Sequence, residues 1–532
     1  MLYETKINKK IINKLSKGKI EKIREKNSNK KEQGITLIAL VTTIVISLIL
    51  ASITIGAVTS DNGILRNAND AKEQTEIAEE KEIVDRATIQ AMGNNKRGNI
   101  VEDELQEQLD KITGSGKTEA DDVGEEFEVA FVESKRYYTV DKDGTVTGPQ
   151  EIVEDKSPGD ITKDENGDDI DEDKPYEIWC IEDLVVLSNM SRGKGNYLEN
   201  GEIVDIDTRN TFSGKNIELM TDLNFNSKYA YADLSITWSY DENENSYIVD
   251  ENSTENLKDI ITDRDGVGFV PIGGDNSSSR FAGEVDGKNH EIQNLFENNT
   301  TVGGLFDHVY NATIKNLGLT NINITSEEAG EIAKNTNRTN YYNCYVSGKI
   351  KAKTQGGGIA SVANNVKIIN CYNLSEIESS GRVGGIVASV EAGGSITIVN
   401  SYNNGKLTTT GTNIGYHTSS GIIGTAYHSN GNRKIINSCS IGEITSTRIS
   451  AGNFYYAHGG ATVELENAYY LDEIINEKVT VNEGSISFLR DEETVLNNLN
   501  KYVEEHKNDY IDEGITLYSW EFDSNGLPTF KK

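Results

Sequence analysis

The first distinctive pattern is a long stretch without charged side chains, which spans residues 35–60 and ends at Asp61. A helix rises about 1.5 Å per residue, so twenty-odd apolar residues cross the roughly 30 Å hydrocarbon core of a bilayer. Eleven Lys or Arg but only four Asp or Glu precede the stretch. Because basic residues stay on the cytoplasmic side, the pattern predicts one transmembrane helix over 35–60, with the rest of the chain outside the cell.

After this stretch, residues 61–148 change from helical to strand-like patterns. Residues 68–92 are rich in Ala, Glu, Lys and Gln, which favour helix, and 101–112 indicate a second, shorter helix. Apolar and polar residues then alternate over two short stretches between 127 and 140, and a turn and a third strand follow. We therefore expect a long helix and a small antiparallel sheet, which together form an α+β stalk.

The strongest pattern is a repeat built around asparagine. Successive asparagines are 27, 27, 30, 37 and 30 residues apart, and each follows an Ile, Tyr or Leu by two positions. They are Asn316, Asn343, Asn370, Asn400, Asn437 and Asn467. A glycine element recurs between them, as at Gly304, Gly358 and Gly385. A fixed frame of this length indicates a repeat architecture.

The residues around each asparagine alternate as strands do, and the spacing is too short and uneven for four-stranded propeller blades. We therefore predict a mostly β fold, a parallel β-solenoid or β-helix of about six coils over 271–475. An N-terminal cap over 176–270 and a C-terminal cap over 476–532 would close it. Neighbouring coils would stack about 4.8 Å apart, so the asparagines should pass hydrogen bonds from coil to coil in a left-handed backbone conformation. The glycines should supply corners with positive φ.

Charge is distributed very unevenly along the chain. The 532 residues hold 52 Lys or Arg and 85 Asp or Glu, a net charge of −33. The first 34 residues carry +7, so the remainder carries −40. This excludes nucleic acid as a partner, because phosphate requires a basic face. Residues 149–175 hold eleven Asp or Glu and predict a solvated linker.

Within this linker, Asp164, Asn166 and Asp168 have the spacing of oxygen ligands in a calcium loop. However, Asp169 stands where an EF-hand has its turn glycine, and no helices flank the segment. The pattern favours a linker without a metal ion, and calcium binding is the alternative.

The four cysteines contain no CxxC pair, which excludes a zinc site of that type. Cys344 and Cys371 occupy the same slot of successive repeats, where Ser401 and Ser438 follow. The pattern favours a buried stack of small residues, with a disulfide as the alternative.

The junction between the basic segment and the apolar stretch has the sequence KEQGITLI over residues 31–38. It resembles the prepilin leader junction of type IV pilins. The resemblance implies that a prepilin peptidase removes residues 1–34 by cleaving between Gly34 and Ile35, that the new amino terminus is methylated, and that other pilins are partners. Pilins usually carry Glu at the fifth mature position, where this chain has Ala39. This departure favours a minor pilin or a membrane-anchored pilin-like protein.

The glycine elements carry a second resemblance. Residues 302–306 are VGGLF, 383–387 are VGGIV, and 281–292 are FAGEVDGKNHEI. They are similar to the GLUG-type repeats of bacterial surface proteins. The resemblance covers roughly 270–475.

Candidate chemistry is sparse. β-Solenoids also host polysaccharide lyases and hydrolases, but none of the six histidines forms HExxH, and no pair of Asp recurs with a His and a basic residue. We assign no catalytic residue, no metal ligand and no cofactor. The longest insertion of the repeat lies between Asn400 and Asn437, and insertions often form the binding face of a solenoid. The candidate ligand-binding residues there are Tyr416, His417, Tyr427 and His428.

A tyrosine follows several of the repeat asparagines by two positions. These tyrosines form either a row that stacks on a ligand or a ladder that packs coil on coil, and the second alternative is favoured.

Together these patterns predict a transmembrane, pilin-type long helix and a small α+β stalk followed by a β-solenoid. We expect a non-enzymatic bacterial surface protein, a minor pilin or a membrane-anchored adhesin, whose solenoid binds a surface or a carbohydrate ligand. It would cross the cell membrane once, with an extracellular carboxyl-terminal region, or reside in a pilus. The alternative is an extracellular carbohydrate-active enzyme on a β-helix scaffold.

Overall fold

The computed structural model describes residues 61–95, 99–124, 126–152, 161, 174–199, 201–274, 278–298, 301, 303–411, 417–428, 430–446, 451–474 and 479–531. Gly34, Ile35 and the predicted membrane span 35–60 lie outside the described residues, as does most of the acidic linker. The chain divides into two units, Met1–Val84 and Asp85–Lys532. Within the described ranges, no helix is both long and apolar enough to span a bilayer.

Among the described residues before the first sheet, two helices lie near the positions expected from the sequence. Helix α1 spans Asp61–Asn94, and helix α2 spans Glu102–Thr113. The first turn of α2 is acidic and its last turn contains Lys111, an arrangement that complements the helix dipole. Leu105 and Leu109 lie on its buried face.

A small antiparallel sheet follows, with its four strands in chain order. They are Thr118–Asp122, Glu126–Phe131, Arg136–Asp141 and Val146–Glu151. The sequence did not predict the first strand, because TEADD contains only one apolar residue. Its position is set by Gln106 of α2, whose side chain donates to the Thr118 carbonyl (3.1 Å) and accepts from the Ala120 amide (2.7 Å).

The solenoid is built from five ladders of parallel strands, each ladder taking one strand from successive coils. The first ladder contains Glu284–Asp286, Thr313–Lys315, Asn340–Tyr342, Val366–Ile369, Ile396–Val399 and the beginnings of Arg433–Ser440 and Glu464–Leu471. The second contains Glu291–Gln293, Tyr372–Asn373, Tyr402–Asn403, the ends of the same two long strands, and Ser485–Phe488.

The remaining ladders complete each coil. The third contains Phe296–Asn298, Glu376–Ser379, Leu407–Thr409 and Ile444–Ser446. The fourth contains Arg382–Gly384, Thr418–Ser420, Ala451–Gly452 and Val479–Thr480. Gly318–Gly330 and Tyr345–Gly357 run through ladders two to four. The fifth ladder is a separate sheet of Phe306–Tyr310, Ala333–Asn337, Ala360–Asn364, Val387–Val390, Ile423–Tyr427 and Tyr455–His458.

The strand register confirms the β-solenoid of about six coils and the frame of the repeat. Residues two positions before the asparagines pair along the first ladder, in the order Ile314, Tyr341, Ile368, Ile398, Ile435 and Leu465. The interior is an aliphatic column of Ile324, Ile350, Ile377, Leu407 and Ile444, all at most 2% exposed. Burial of stacked branched side chains supplies the main stabilisation of the coils.

The segment before the repeats joins the same ladders. Tyr176–Ile178 and Asn216–Leu219 extend the first ladder, and Leu223–Asn224 extends the second. Helices α3 (Ile181–Arg192) and α4 (Leu257–Thr262) and two hairpins surround this end. The hairpins are Asn196–Glu199 with Glu202–Asp205, and Trp238–Asp241 with Ser246–Val249.

The small sheet packs directly on this region. Lys228 forms ion pairs with Asp121 (2.7 Å) and Glu119 (2.9 Å), and Gln150 donates to Asp222 (2.7 Å). The buried Glu128 accepts a hydrogen bond from the Ser227 hydroxyl (2.7 Å), and burial raises the pKa of the Glu128 carboxyl to about 7. The solenoid is thus docked on the sheet by specific contacts as well as joined to it through the acidic segment.

The residues after the last repeat first extend the ladders of the solenoid. Val479–Thr480 and Ser485–Phe488 continue the ladders, and helix α5 spans Glu493–His506. Residues 515–530, here called the strap, then run back along the side of the solenoid and contain the hairpin Trp520–Phe522 with Pro528–Phe530.

Candidate functional site

The repeat asparagines form a continuous hydrogen-bonded ladder. Each amide nitrogen donates to the side-chain oxygen of the preceding member, and the first, Asn316, donates to Asp286 (2.9 Å). All six asparagines have positive φ, between 48° and 56°. Asparagine is favoured here because it tolerates the left-handed conformation and both donates and accepts.

The strap covers this ladder. Asn370 donates to the Thr516 carbonyl (2.8 Å), and Asn400 donates to the Tyr518 carbonyl (3.0 Å) and accepts from the Trp520 indole (2.7 Å). The side-chain amides in these coils are therefore saturated by protein groups, and the ladder has a structural role.

The tyrosine row likewise packs coil on coil. Tyr345 and Tyr372 stack with ring centroids 5.1 Å apart, and Tyr372 and Tyr402 stack at 4.8 Å with nearly parallel planes. Phe530 of the strap contacts the edges of Tyr372 and Tyr402. Burial raises the pKa of the Tyr372 and Tyr402 hydroxyls. Of the two alternatives for this row, the structure shows packing, and Tyr402 is only 3% exposed.

The prediction that the glycines supply corners with positive φ is wrong for two of the three positions named above. Gly304 has a positive φ of 132°, but neither Gly358 nor Gly385 has positive φ. A Cβ on Gly358 would overlap the Gly385 carbonyl oxygen, and one on Gly385 would overlap that of Gly421. Glycine is required because coils approach closely, not because the backbone turns left-handed.

The pair Gly459–Gly460 resembles the glycine element but lies outside its frame. The register aligns Ser420 with Gly452, so the element of that coil is Gly452. Gly459 and Gly460 instead form a turn after Tyr455–His458, with φ of 64° and 79°.

The cysteines are buried free thiols. The Cys344 amide donates to the Cys371 sulfur (3.4 Å), and the Cys371 amide donates to the Ser401 hydroxyl (3.1 Å). The slot is thus a small-residue stack that satisfies backbone amides, as the repeat pattern favoured. Burial raises the pKa of Cys371 and Cys439, so neither thiol is a reactive thiolate.

Two carboxyl groups lie inside the solenoid. Glu297 pairs with Ile324, the first residue of the aliphatic column, and its carboxylate accepts a hydrogen bond from the Gly304 amide (2.9 Å). Glu331 occupies the position that glycine holds in the neighbouring coils. Burial raises the pKa of Glu331 to about 8 and that of Glu297 well above its ordinary value. Both are at most 1% exposed, so these groups act on stability rather than on a ligand.

The candidate loop residues separate in the structure. Tyr416 lies outside the described residues. His417 precedes Thr418–Ser420, where its Nδ1 contacts the Ser380 carbonyl oxygen. Tyr427 and His428 lie at the end of a fifth-ladder strand and form a cluster with His458, whose ring centroid is 5.1 Å from Tyr427 and 6.0 Å from His428.

Two arginines shape this cluster. The Arg382 guanidinium lies 5.1 Å from the Tyr427 ring centroid, a cation–π distance. Arg433 is 2% exposed and donates to the carbonyls of Tyr427 (2.7 Å) and His428 (2.8 Å). Arg433 therefore fixes the turn that presents these side chains, since its fork satisfies several main-chain oxygens at once.

A polar groove of about 210 Å³ lies farther along the fifth ladder. Its lining includes Arg280, His308, Tyr310, Asn335, Asn337, Asn364 and Glu391. The guanidinium carbons of Arg280 and Arg338 each lie 5.7 Å from the Tyr310 ring centroid, and Arg338 donates to the Tyr310 hydroxyl (2.9 Å). The groove combines one arginine, several amides, one tyrosine ring and the carboxylate of Glu391.

The groove and the histidine cluster belong to one column of side chains, here called the outer column. Its members are Tyr310, Asn337, Asn364, Glu391, Tyr427 and His458. The first four are each 27 residues apart, a spacing visible in the sequence. The sequence does not single them out, because the asparagine frame is uniform, whereas this column changes residue type at nearly every coil.

Among the residues that the structure describes, no group of three His, Cys, Asp or Glu is placed to hold a metal ion.

Comparison with known proteins adds little. No protein-family model matches the chain, and no curated protein matches it. One similar solved structure, described as "IgA1 Protease", has 19% sequence identity and a TM-score of 0.32. The similarity covers 47% of this chain and 23% of that protein's length. A likeness at this level supports no argument about activity.

Proposed function

We propose that the chain is a pilin-like protein of the bacterial cell surface, whose β-solenoid binds a glycan through the outer column. The observation that carries the proposal is the composition of this side of the solenoid, which presents aromatic rings and amides on successive coils with arginines beside the rings. Aromatic rings and planar polar groups are the usual means of holding a sugar ring in an open groove.

The other faces offer less to a ligand. The asparagine row is hydrogen-bonded internally, the tyrosine row is stacked ring on ring, and the strap covers both in the coils of Asn370 and Asn400. The outer side of the third ladder carries solvated charges such as Lys349, Lys351, Glu376 and Glu378. The fifth ladder is thus the side on which a binding role is best supported.

The attachment to the cell rests on the sequence of residues 31–60. Their resemblance to a prepilin junction followed by an uncharged stretch supports cleavage after Gly34, insertion of 35–60 into the membrane and an association with other pilins. The docking of the small sheet on the solenoid would carry the outer column outward as part of one unit.

Glycan binding is tested with the full-length chain on a glycan array, together with an assay for released sugar. We expect retention of glycans without product and a loss of binding in Tyr427→Ala, while Lys351→Ala on the third ladder serves as the matched control. Failure to bind any glycan would contradict the proposal. Release of product would instead support the carbohydrate-active enzyme.

Surface anchoring is tested separately by mass spectrometry of the protein recovered from cells. We expect an N-methylated Ile35 as the first residue, and detection of peptides that contain Met1 or Lys6 would contradict processing. Immunogold labelling of sheared pili distinguishes a minor pilin, which labels the fibre, from an anchored adhesin, which stays with the cell.

A further inference from the structure

Positively charged side chains flank the outer column of this strongly acidic protein. Arg280 and Arg338 lie on the Tyr310 ring, and Arg382 lies on the Tyr427 ring. None of these three guanidinium groups forms an ion pair with a carboxylate in the part of the chain that the structure describes. The Nε atoms of Arg280 and Arg382 are buried without a hydrogen-bond partner. The whole chain has 85 acidic and 52 basic residues. Three neighbouring arginines without a carboxylate partner are therefore unexpected on one side of it.

Two acidic residues on this side of the solenoid are Asp307 and Glu391. Asp307 is 8% exposed and already contacts His308 (2.9 Å) and Lys334 (3.4 Å). Glu391 is exposed, and it accepts a hydrogen bond from the Asn364 amide (3.2 Å). Asp307 is therefore already engaged by His308 and Lys334, and Glu391 is the one acidic member of the outer column.

The spacing of the cations defines the shape of a ligand. Tyr310 and Tyr427 are separated by four steps of the ladder, about 19 Å at the usual strand spacing. Asn337 and Asn364 lie between them and offer amide donors and acceptors to hydroxyl groups. A ligand that uses both ends must therefore be an extended chain with anionic groups and hydroxyls.

We propose that the outer column binds an acidic polysaccharide, with sugar carboxylates at the Arg280–Arg338 pair and at Arg382, and hydroxyls at Asn337 and Asn364. This inference rests on the glycan-binding function proposed above and names its substrate class. Two guanidinium groups held on one ring favour a carboxylate because their planar forks donate two parallel hydrogen bonds to it.

The proposal gives Glu391 a definite role. Its exposed carboxylate lies within the path of the chain, so it repels an acidic ligand and weakens binding. It has no such effect on a neutral glycan. Neutralising Glu391 should therefore strengthen binding. A variant that had lost its structure would bind more weakly, so the two effects have opposite signs.

The test measures binding of the full-length chain to polygalacturonate and to its methyl ester, which has the same backbone without charge. We expect the acid to bind at least tenfold more tightly than the ester, with an affinity that falls as salt is raised. Arg338→Gln should weaken binding of the acid about tenfold, Glu391→Gln should strengthen it several-fold, and Lys351→Gln on the third ladder should leave it unchanged. Thermal unfolding of each variant establishes that it remains folded.

The outcomes separate the two proposals. Equal binding of acid and ester, an unchanged affinity in Arg338→Gln, or weaker binding in Glu391→Gln would overturn the acidic-polysaccharide inference while glycan binding stands. Binding of polyglutamate as tightly as polygalacturonate would overturn it in favour of an acidic peptide. Absence of binding to the acid, to the ester and to every array glycan would overturn both.

Discussion

The asparagine ladder and the outer column each take one residue from six successive coils, yet they differ in almost every other respect. The ladder is uniform in residue type, internally hydrogen-bonded and partly covered by the strap. The outer column contains Tyr, Asn, Glu and His, and arginines rather than a covering segment lie on its rings. Both columns take one residue from each coil. Their differences therefore distinguish the residues that coil stacking requires from those that ligand binding would require.

The difference teaches how to interpret a repeat. A position that stays the same from coil to coil satisfies a need that every coil shares, here a left-handed residue that pairs with its neighbours. A position that varies from coil to coil does not serve a requirement that all coils share. Variation within a strict frame is therefore the better indication of a binding surface.

The largest expected effect comes from breaking the ladder at its covered centre. Asn400→Leu removes one hydrogen bond each from Asn370, Asn437, Tyr518 and Trp520. It also places a branched apolar residue at a φ of 49°. We expect a loss of about 4 kcal/mol or more in the free energy of unfolding, measured by denaturant titration. Asn323→Ala, at an exposed position of the third ladder, should change it by at most about 0.5 kcal/mol. A loss below about 1 kcal/mol in Asn400→Leu would contradict the structural role.

The buried carboxyl of Glu331 should make stability depend on pH. Its pKa is about 8 in the folded chain against 4.5 ordinarily, so the folded state holds a proton that the unfolded state has lost between these values. The stability of the native chain should therefore fall as pH rises through that window.

In Glu331→Gln this dependence is removed. Relative to the native chain, the variant should gain about 4 kcal/mol between pH 4.5 and pH 8, measured by unfolding at several pH values. Glu443→Gln, at an exposed position, is the matched control. A constant difference between variant and native chain across the window would contradict the burial of an ionisable group.

A smaller loss is expected where coils approach most closely. In Gly358→Ala the new methyl group meets the Gly385 carbonyl, so adjacent coils must move apart, at a cost of about 2 kcal/mol. Gly93→Ala in α1 meets nothing within 4 Å and should be neutral or stabilising. Differential scanning calorimetry distinguishes them, and equal melting temperatures would contradict close approach as the reason for glycine.

The smallest effect should come from the outer column itself. Asn364 makes one exposed hydrogen bond to Glu391 (3.2 Å), so Asn364→Ala should change the free energy of unfolding by at most about 0.5 kcal/mol. The comparison is with Asn370→Ala, which removes ladder and strap hydrogen bonds from a residue six positions later. Similar losses in the two variants would show that the columns do not differ as described.

The architecture was largely predictable, and the candidate site was not. The fixed offsets of the asparagines indicated stacked coils, and the strand register follows those offsets from Ile314 to Leu465. Of the four candidate loop residues, Tyr427 and His428 fall in one cluster. No pattern in the sequence indicated that Tyr310, Arg280 and Arg338 lie together. The arginines belong to no repeat frame, and only folding brings them onto one ring.

What the sequence by itself determined is the local rule of each coil: where strands form, where the asparagine turns, and which side chains stack on the next coil. These follow from short-range periodicity and from the tolerance of asparagine for positive φ. Only the tertiary structure decided that the strap covers the ladder, that the glycines serve close approach, and that cations gather along the outer column. Those features depend on contacts between residues far apart in the chain, for which local periodicity carries no signal.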